Sequence, residues 1–290
     1  MSSLNASGTY YDIPVSVIQQ ITDQETHETT VVLAVLLGVV TWDTIVLLPE
    51  DVNRWRSHGI IFLDVAYIWM RIMAILSVAI YLVVELAGST SSSFNCFAGF
   101  VVTCHFYGQA LLGVNVVFII RTLSIWNWNK LVGAIIIFLA IAQALVGFIA
   151  VPFAFAQTYN NPIGSPCLLI LFWQKYFTPA FALELAFDFT VFAFSLYKLY
   201  YKNRSQEIRV LRLQRILLRD GFIYFIVLLV CNLLNTLFST IPGISPLLTE
   251  NWNYVTIVIV SIAGAFVYHS IRRESTRRSS KTTLTGSQTC

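Results

Sequence analysis

Long uninterrupted runs of apolar residues, set apart by short polar and charged stretches, dominate the chain. A helix needs roughly 20 mostly apolar residues to cross a hydrocarbon core of about 30 Å. Seven runs approach or exceed that length: Val31 to Leu48, Ile60 to Leu86, Cys96 to Ile120, Leu131 to Ala156, Phe177 to Leu199, Gly221 to Phe238 and Trp252 to Ile271. Their continuity predicts helices, because a membrane barrel is built from strands of about 10 residues that alternate apolar and polar positions. The predicted fold class is all-α, a polytopic membrane protein forming a seven-transmembrane-helix bundle over residues 30–271. An N-terminal tail covers residues 1–29, and a basic, Ser/Thr-rich tail covers residues 272–290, where no regular structure is expected. The first 29 residues contain no Lys or Arg and no short apolar core with a small-residue cleavage site. No removable signal peptide is therefore expected, and the first span is read as the insertion signal.

Composition points the same way. Of the residues, 57% are hydrophobic and 11% charged, against about 25% charged in an ordinary soluble domain. The chain lacks the polar side chains to coat a water-facing surface, so lipid is the expected solvent for most of it. The distribution of charge then sets the orientation, since cytoplasmic loops carry the excess of Lys and Arg. With these spans, sixteen of the eighteen basic residues fall on one side: Arg54, Arg56, Arg121, Lys130, seven between Lys198 and Arg219, and five from Arg272 to Lys281. Only Lys175 falls on the other side, and Arg71 lies within the second span. An even number of spans destroys this alternation, so the N-terminus is expected outside and the C-terminus in the cytoplasm. The formal charge of +3 belongs to the cytoplasmic membrane surface, where anionic lipid attracts it, and not to nucleic acid.

On that orientation Cys96 and Cys167 both lie outside, where an oxidising compartment permits a disulfide. Cys104 and Cys231 fall inside spans and Cys290 is terminal. A bridge from the start of the third helix to the loop between the fourth and fifth pins that loop over the bundle mouth, an arrangement that many rhodopsin-like receptors use; two unpaired thiols are the plainer alternative. Asn5-Ala6-Ser7 is a glycosylation sequon on the outer tail.

Charged groups near the bilayer centre cost about 2.5 to 3.5 kcal/mol on insertion scales and face the bundle interior, where they find partners. Asp43 falls in the first span, Asp64 and Arg71 in the second, and Glu184 and Asp188 in the fifth. Asp64 and Arg71 are two helical turns apart on one face. Glu184 and Asp188 stand at i and i+4, where two ionised acids repel, so either one of them stays neutral or a cation sits between them. These residues read either as a site for a cationic or hydrogen-bonding ligand, or an ion path, or as an Arg71-centred salt-bridge network that fixes helix register. His105, near Tyr107 and Gln109 in the third span, is a further candidate for the site; a lone histidine more often serves bundle packing.

Between the fifth and sixth spans, Arg209, Arg212, Arg215 and Arg219 recur every three or four residues, interleaved with Ile208, Leu211 and Leu218. This is a basic amphipathic helix pattern. Together with Arg121 it forms a candidate surface for coupling to a cytoplasmic signalling protein or anionic lipid, and equally a plain positive-inside anchor. In the tail, Arg272-Arg273-Glu274-Ser275 and Arg277-Arg278-Ser279-Ser280 resemble basophilic kinase sites.

Several chemistries are not supported. No lysine lies in the seventh span to hold retinal. His27, His58, His105 and His269 form no pair at metal-ligand spacing, so no metal site is expected. No phosphate-binding glycine loop, nucleophile elbow or dinucleotide fingerprint occurs, so neither an enzyme nor a cofactor is expected. Matching halves with broken helices, the mark of inverted-repeat transporters, are not evident.

Trp42-Asp43-Thr44 with Glu50 and Trp55, Arg121-Thr122-Leu123-Ser124-Ile125-Trp126, Ala186-Phe187-Asp188-Phe189-Thr190 and Arg219-Asp220-Gly221-Phe222-Ile223-Tyr224-Phe225 together carry a likeness. Over residues from about 30 to 240 the chain resembles the uncharacterised fungal, mainly basidiomycete, seven-helix membrane proteins that carry an N-terminal domain of unknown function. Arg71 is followed by Ile72 where that family's pattern has Tyr, and the ending Ala265-Phe266-Val267-Tyr268-His269 departs from a more basic, leucine-rich one. The resemblance implies location and topology and, by analogy, a receptor-like role. The expectation is a plasma-membrane, receptor-like bundle that binds a small ligand inside and a cytoplasmic partner below. A channel or transporter using the intramembrane acids, and a structural or assembly protein without a ligand, are the alternatives.

Overall fold

The computed structural model of the chain describes residues 15–90, 96–153, 174–198, 225–241 and 246–286, and among these there are helices and connecting turns but no strand. The helices are α1 (Val15–His58), α2 (Phe62–Thr90), α3 (Cys96–Ile125), α4 (Lys130–Phe153), α5 (Gln174–Tyr197), α6 (Phe225–Thr240) and α7 (Pro246–Gly286). Six of them are long and apolar enough to cross a membrane. The seventh, α6, is shorter over the residues described, since its expected start at Gly221 lies outside them. The molecule is thus an all-α bundle of the integral-membrane kind.

Both ends of the bundle depart from expectation. Helix α1 begins at Val15, so half of the stretch read as a tail is helical. At the other end α7 runs to Gly286, which corrects the unstructured reading over residues 272–286, the rest of that tail lying outside the described residues. The physical reason is visible in the sequence: after Ala265 neither Gly nor Pro occurs until Gly286, the residue type that most readily ends a helix.

Turn chemistry sets the helix boundaries. Helix α1 ends where Gly59 takes φ +72° and its N–H donates to the Trp55 carbonyl at 2.9 Å, the left-handed stop that glycine makes without a Cβ penalty. At the end of α3, Asn127 and Trp128 both have positive φ (50° and 57°), and Trp128 N–H donates to the Leu123 carbonyl at 2.8 Å. The next residue, Asn129, caps α4: its Oδ1 accepts from the N–H groups of Leu131 (3.0 Å) and Val132 (3.4 Å). Two helices are thereby joined in four residues.

Lipid is as apolar as leucine, so helices in a membrane associate through close packing and polar contacts and not through apolar burial. Met70 on α2 lies between two glycines: a Cβ at Gly113 of α3 meets Met70 Cβ at 2.8 Å, and one at Gly264 of α7 meets its Sδ at 2.7 Å. Tyr67 stacks on Tyr268 with ring centroids 4.1 Å apart, and Tyr81 on Tyr254 at 4.3 Å, which joins α2 to α7 at two levels. Asn115 of α3 donates to Gln143 of α4 at 3.0 Å, both buried. Helix α7 is the most enclosed, whereas α1 keeps most of its apolar surface outward. Large apolar side chains such as Val35, Trp42, Leu131, Phe138 and Phe148 are exposed, as lipid contact requires.

Candidate functional site

Apart from Arg121, the buried charges form two groups. The first joins the end of α1, the start of α2 and the later part of α7. Asp64 is fully buried and accepts three bonds: from Tyr268 Oη at 2.6 Å, from Arg272 at 2.9 Å and from the Ile61 N–H at 2.8 Å. Arg272 also reaches the carbonyl of Gly59 at 3.4 Å, the residue that ends α1. Beside this pair, Arg54 bonds Glu50 one turn earlier and approaches Asp51 at 3.5 Å and His269 Nδ1 at 3.1 Å. Trp55 Nε1 donates to Tyr268 Oη at 3.4 Å. Deeper along the same interface Arg71 pairs with Asp43 at 2.5 Å and lies over the Tyr67 ring, 5.6 Å from its centroid. Acid meets base at each step, and every pairing but the local ones within α1 crosses between helices.

The second group lies between α3, α5 and α6 and has a different character. Glu184 and Asp188 are 5% and 7% exposed, one turn apart on α5. No ion pair involves either acid among the described residues. Their company is neutral: Asn232 of α6 donates from Nδ2 to Asp188 Oδ2 and also reaches Glu184. Asn235, one turn further on, stands beside the Tyr107 hydroxyl of α3 without a hydrogen bond of good geometry. The Tyr107 ring meets Tyr254 of α7 edge-on at 6.5 Å.

Arg71, read as the possible centre of a salt-bridge network, pairs with Asp43, while Asp64 is matched by Arg272, a residue expected beyond the seventh span. His105 lies on the exposed side of α3 against Phe106 and not among the buried acids. Arg121 is buried, with its guanidinium 5.0 Å from the centroid of Phe225 on α6. Cys167, and with it the Cys96–Cys167 bridge, lies outside the described residues, as do Asn5, Arg209, Arg212, Arg215 and Arg219. Sequence reasoning passed over Asn232 and Asn235, although two asparagines at i and i+3 in an apolar run are the mark of a polar seam turned inward. It also passed over Tyr268 and Arg272, whose partners are more than 200 positions away.

Among the described residues no group of three or more His, Cys, Asp or Glu side chains is placed to hold a metal ion. No protein-family model, no curated protein and no solved structure matches the chain.

Proposed function

We propose that the chain is a receptor-like protein of the plasma membrane, with its N-terminus outside and its C-terminus in the cytoplasm. It senses a small ligand in the polar seam of α3, α5 and α6 and signals to a cytoplasmic partner. One observation supports this reading above the others: Glu184 and Asp188 are buried together beside neutral groups, whereas Asp43, Asp51 and Asp64 each meet an Arg or His. Residues that only fix helix register come with their counter-charge, because an unmatched buried charge is costly. An acid pair flanked by amides and a phenol is suited instead to a cation or a donor that arrives from outside.

Helix α6 offers the link to the cytoplasm. It carries Asn232 and Asn235 in the seam and Phe225 against Phe118 and Arg121. In the chain it directly follows the basic segment from Arg209 to Arg219. A shift of α6 on ligand binding therefore acts on Arg121 and on that segment together. The resemblance to the fungal seven-helix family is part of this proposal and rests on the segments quoted for it. The transporter alternative needs a continuous polar path through Asp43, Asp64, Arg71, Glu184 and Asp188. The closed pairs Arg71–Asp43 and Arg272–Asp64 weigh against it.

The test is G-protein recruitment in cells expressing the full chain or its Arg212→Ala/Arg215→Ala variant. Constitutive recruitment that is lost in the variant at equal surface expression is the expected outcome. Absence of recruitment by both chains at normal surface levels rules out ligand-free coupling, and ion-flux measurements on Asp188→Asn then decide for or against transport.

A further inference from the structure

The polar groups around Glu184 and Asp188 outnumber the bonds they make with one another. Asn232 is 3% exposed, and while its Nδ2 serves Asp188, its Oδ1 has no hydrogen-bond partner. Asn235 is 1% exposed and neither atom of its amide is hydrogen-bonded. The Tyr107 hydroxyl stands beside Asn235 without a hydrogen bond of good geometry, and Glu184 is near it. Each buried polar group left in this state costs about 1 to 3 kcal/mol. Two carboxylates, two amide oxygens and a phenol oxygen are gathered here, and the donors among them, the two amide NH2 groups and the phenol O–H, are all neutral. Among the described residues no positive charge pairs with either acid.

The ligand set narrows the class of cation that suits it. No His or Cys contributes, which disfavours the transition metals. Calcium and magnesium carry two charges and draw on several carboxylates or ordered waters, and among the described residues no group of three or more His, Cys, Asp or Glu side chains is placed to hold such an ion. A single positive charge balances one carboxylate, while the second shares a proton with its neighbour and with Asn232. The buried seam is then neutral, the state that bilayer depth favours. An ammonium group has three N–H donors, which match one oxygen each from Glu184, Asp188 and an asparagine amide. An alkali ion uses the same oxygens without directionality.

We propose that Glu184, Asp188, Asn232, Asn235 and Tyr107 form a binding site for one compact monovalent cation, an ammonium group or an alkali ion, between α3, α5 and α6. This rests on the reading of the seam as a ligand site and names the charge and size of what enters it.

Thermal unfolding of the purified full-length chain in detergent tests the site. The reference buffer holds N-methyl-D-glucamine as its only cation, too bulky for the seam, and sodium, methylammonium or calcium chloride is added at matched ionic strength. A saturable rise in Tm with sodium or methylammonium is expected, and the one acting at lower concentration identifies the source. The rise is expected to vanish in Glu184→Gln/Asp188→Asn. An equal rise in that variant, a rise with calcium alone, or no rise in the native chain overturns the proposal. Asn235→Ala leaves both acids in place and decides the matter if the double variant does not fold: its half-saturating concentration is expected to increase, and an unchanged value overturns the site. Cation stabilisation without G-protein recruitment keeps the site and rules out ligand-free coupling alone, and recruitment without cation stabilisation removes the site alone.

Discussion

At the residue scale, Asp64 is the most committed side chain in the molecule. It is fully buried and receives donors from its own turn, from Tyr268 and from Arg272. Burying such a pair brings little net gain, because desolvation offsets much of the attraction, yet removing one partner leaves the other charge stranded. Asp64→Asn is therefore expected to lower stability by about 3 to 5 kcal/mol, read as a large drop in Tm in detergent. Asp64→Leu combined with Arg272→Met is expected to recover much of that loss, and a double variant no more stable than Asp64→Asn would show that hydrogen bonding and not charge governs the site. Asp43 provides the contrast, since its side chain is 24% exposed. The same change there, Asp43→Asn, is expected to cost less, because the partly exposed carboxylate is only partly desolvated, yet still to destabilise, since Arg71 at 3% exposure keeps a buried charge without its partner.

At the element scale the decisive contacts are between backbones. Gly113 lets α3 approach α2 until a Cβ in its place lies 2.8 Å from Met70 Cβ and 3.0 Å from its Cα. These atoms cannot move without moving the helix, so Gly113→Ala is expected to cost about 1 to 3 kcal/mol, as overpacking does. Gly264→Ala meets instead the Met70 Sδ at 2.7 Å, the far end of a flexible side chain. It is expected to be milder, and thermal melts of the two variants side by side measure the difference. The Asn129 cap makes an independent prediction: Asn129→Ala removes the acceptor for two N–H groups at the start of α4 and is expected to cost about 1 kcal/mol. The Asn115–Gln143 clamp is a weaker link, since interhelical hydrogen bonds in membranes average about 0.6 kcal/mol in double-mutant cycles.

At the scale of the whole molecule, the basic residues make the strongest claim. Placing sixteen of eighteen on one side requires Asn5 to face the secretory lumen and Asn203, which opens a second sequon, Asn203-Arg204-Ser205, the cytoplasm. Expression in eukaryotic cells is expected to give a glycosidase-sensitive form that disappears in Asn5→Gln and persists in Asn203→Gln. The reverse pattern inverts the bundle and with it the proposed coupling face. The bundle architecture itself was legible along the chain, because the apolar runs near Ile60, Cys96, Leu131 and Trp252 reappear in α2, α3, α4 and α7. The helix ends were less legible: the polar residues from Val15 to Thr30 and after Ile271 read as tails, although neither Gly nor Pro interrupts either stretch before Gly286.

What the sequence determined by itself is the solvent and the class of fold. Apolar run length answers directly to hydrocarbon thickness, and a backbone in lipid must satisfy its own hydrogen bonds, so helices follow without any knowledge of neighbours. Spacing along one helix also tells which side chains share a face, as with Glu184 and Asp188. It cannot tell which helix lies opposite. That Asp43 meets Arg71, that Arg272 returns from the far end of the chain to Asp64, and that two asparagines of α6 close on the α5 acids are facts of packing between distant segments. The charge inventory was readable from the chain; its division into matched pairs and one unmatched pair was decided only by the tertiary structure, because a salt bridge depends on distance in space and not on position in sequence.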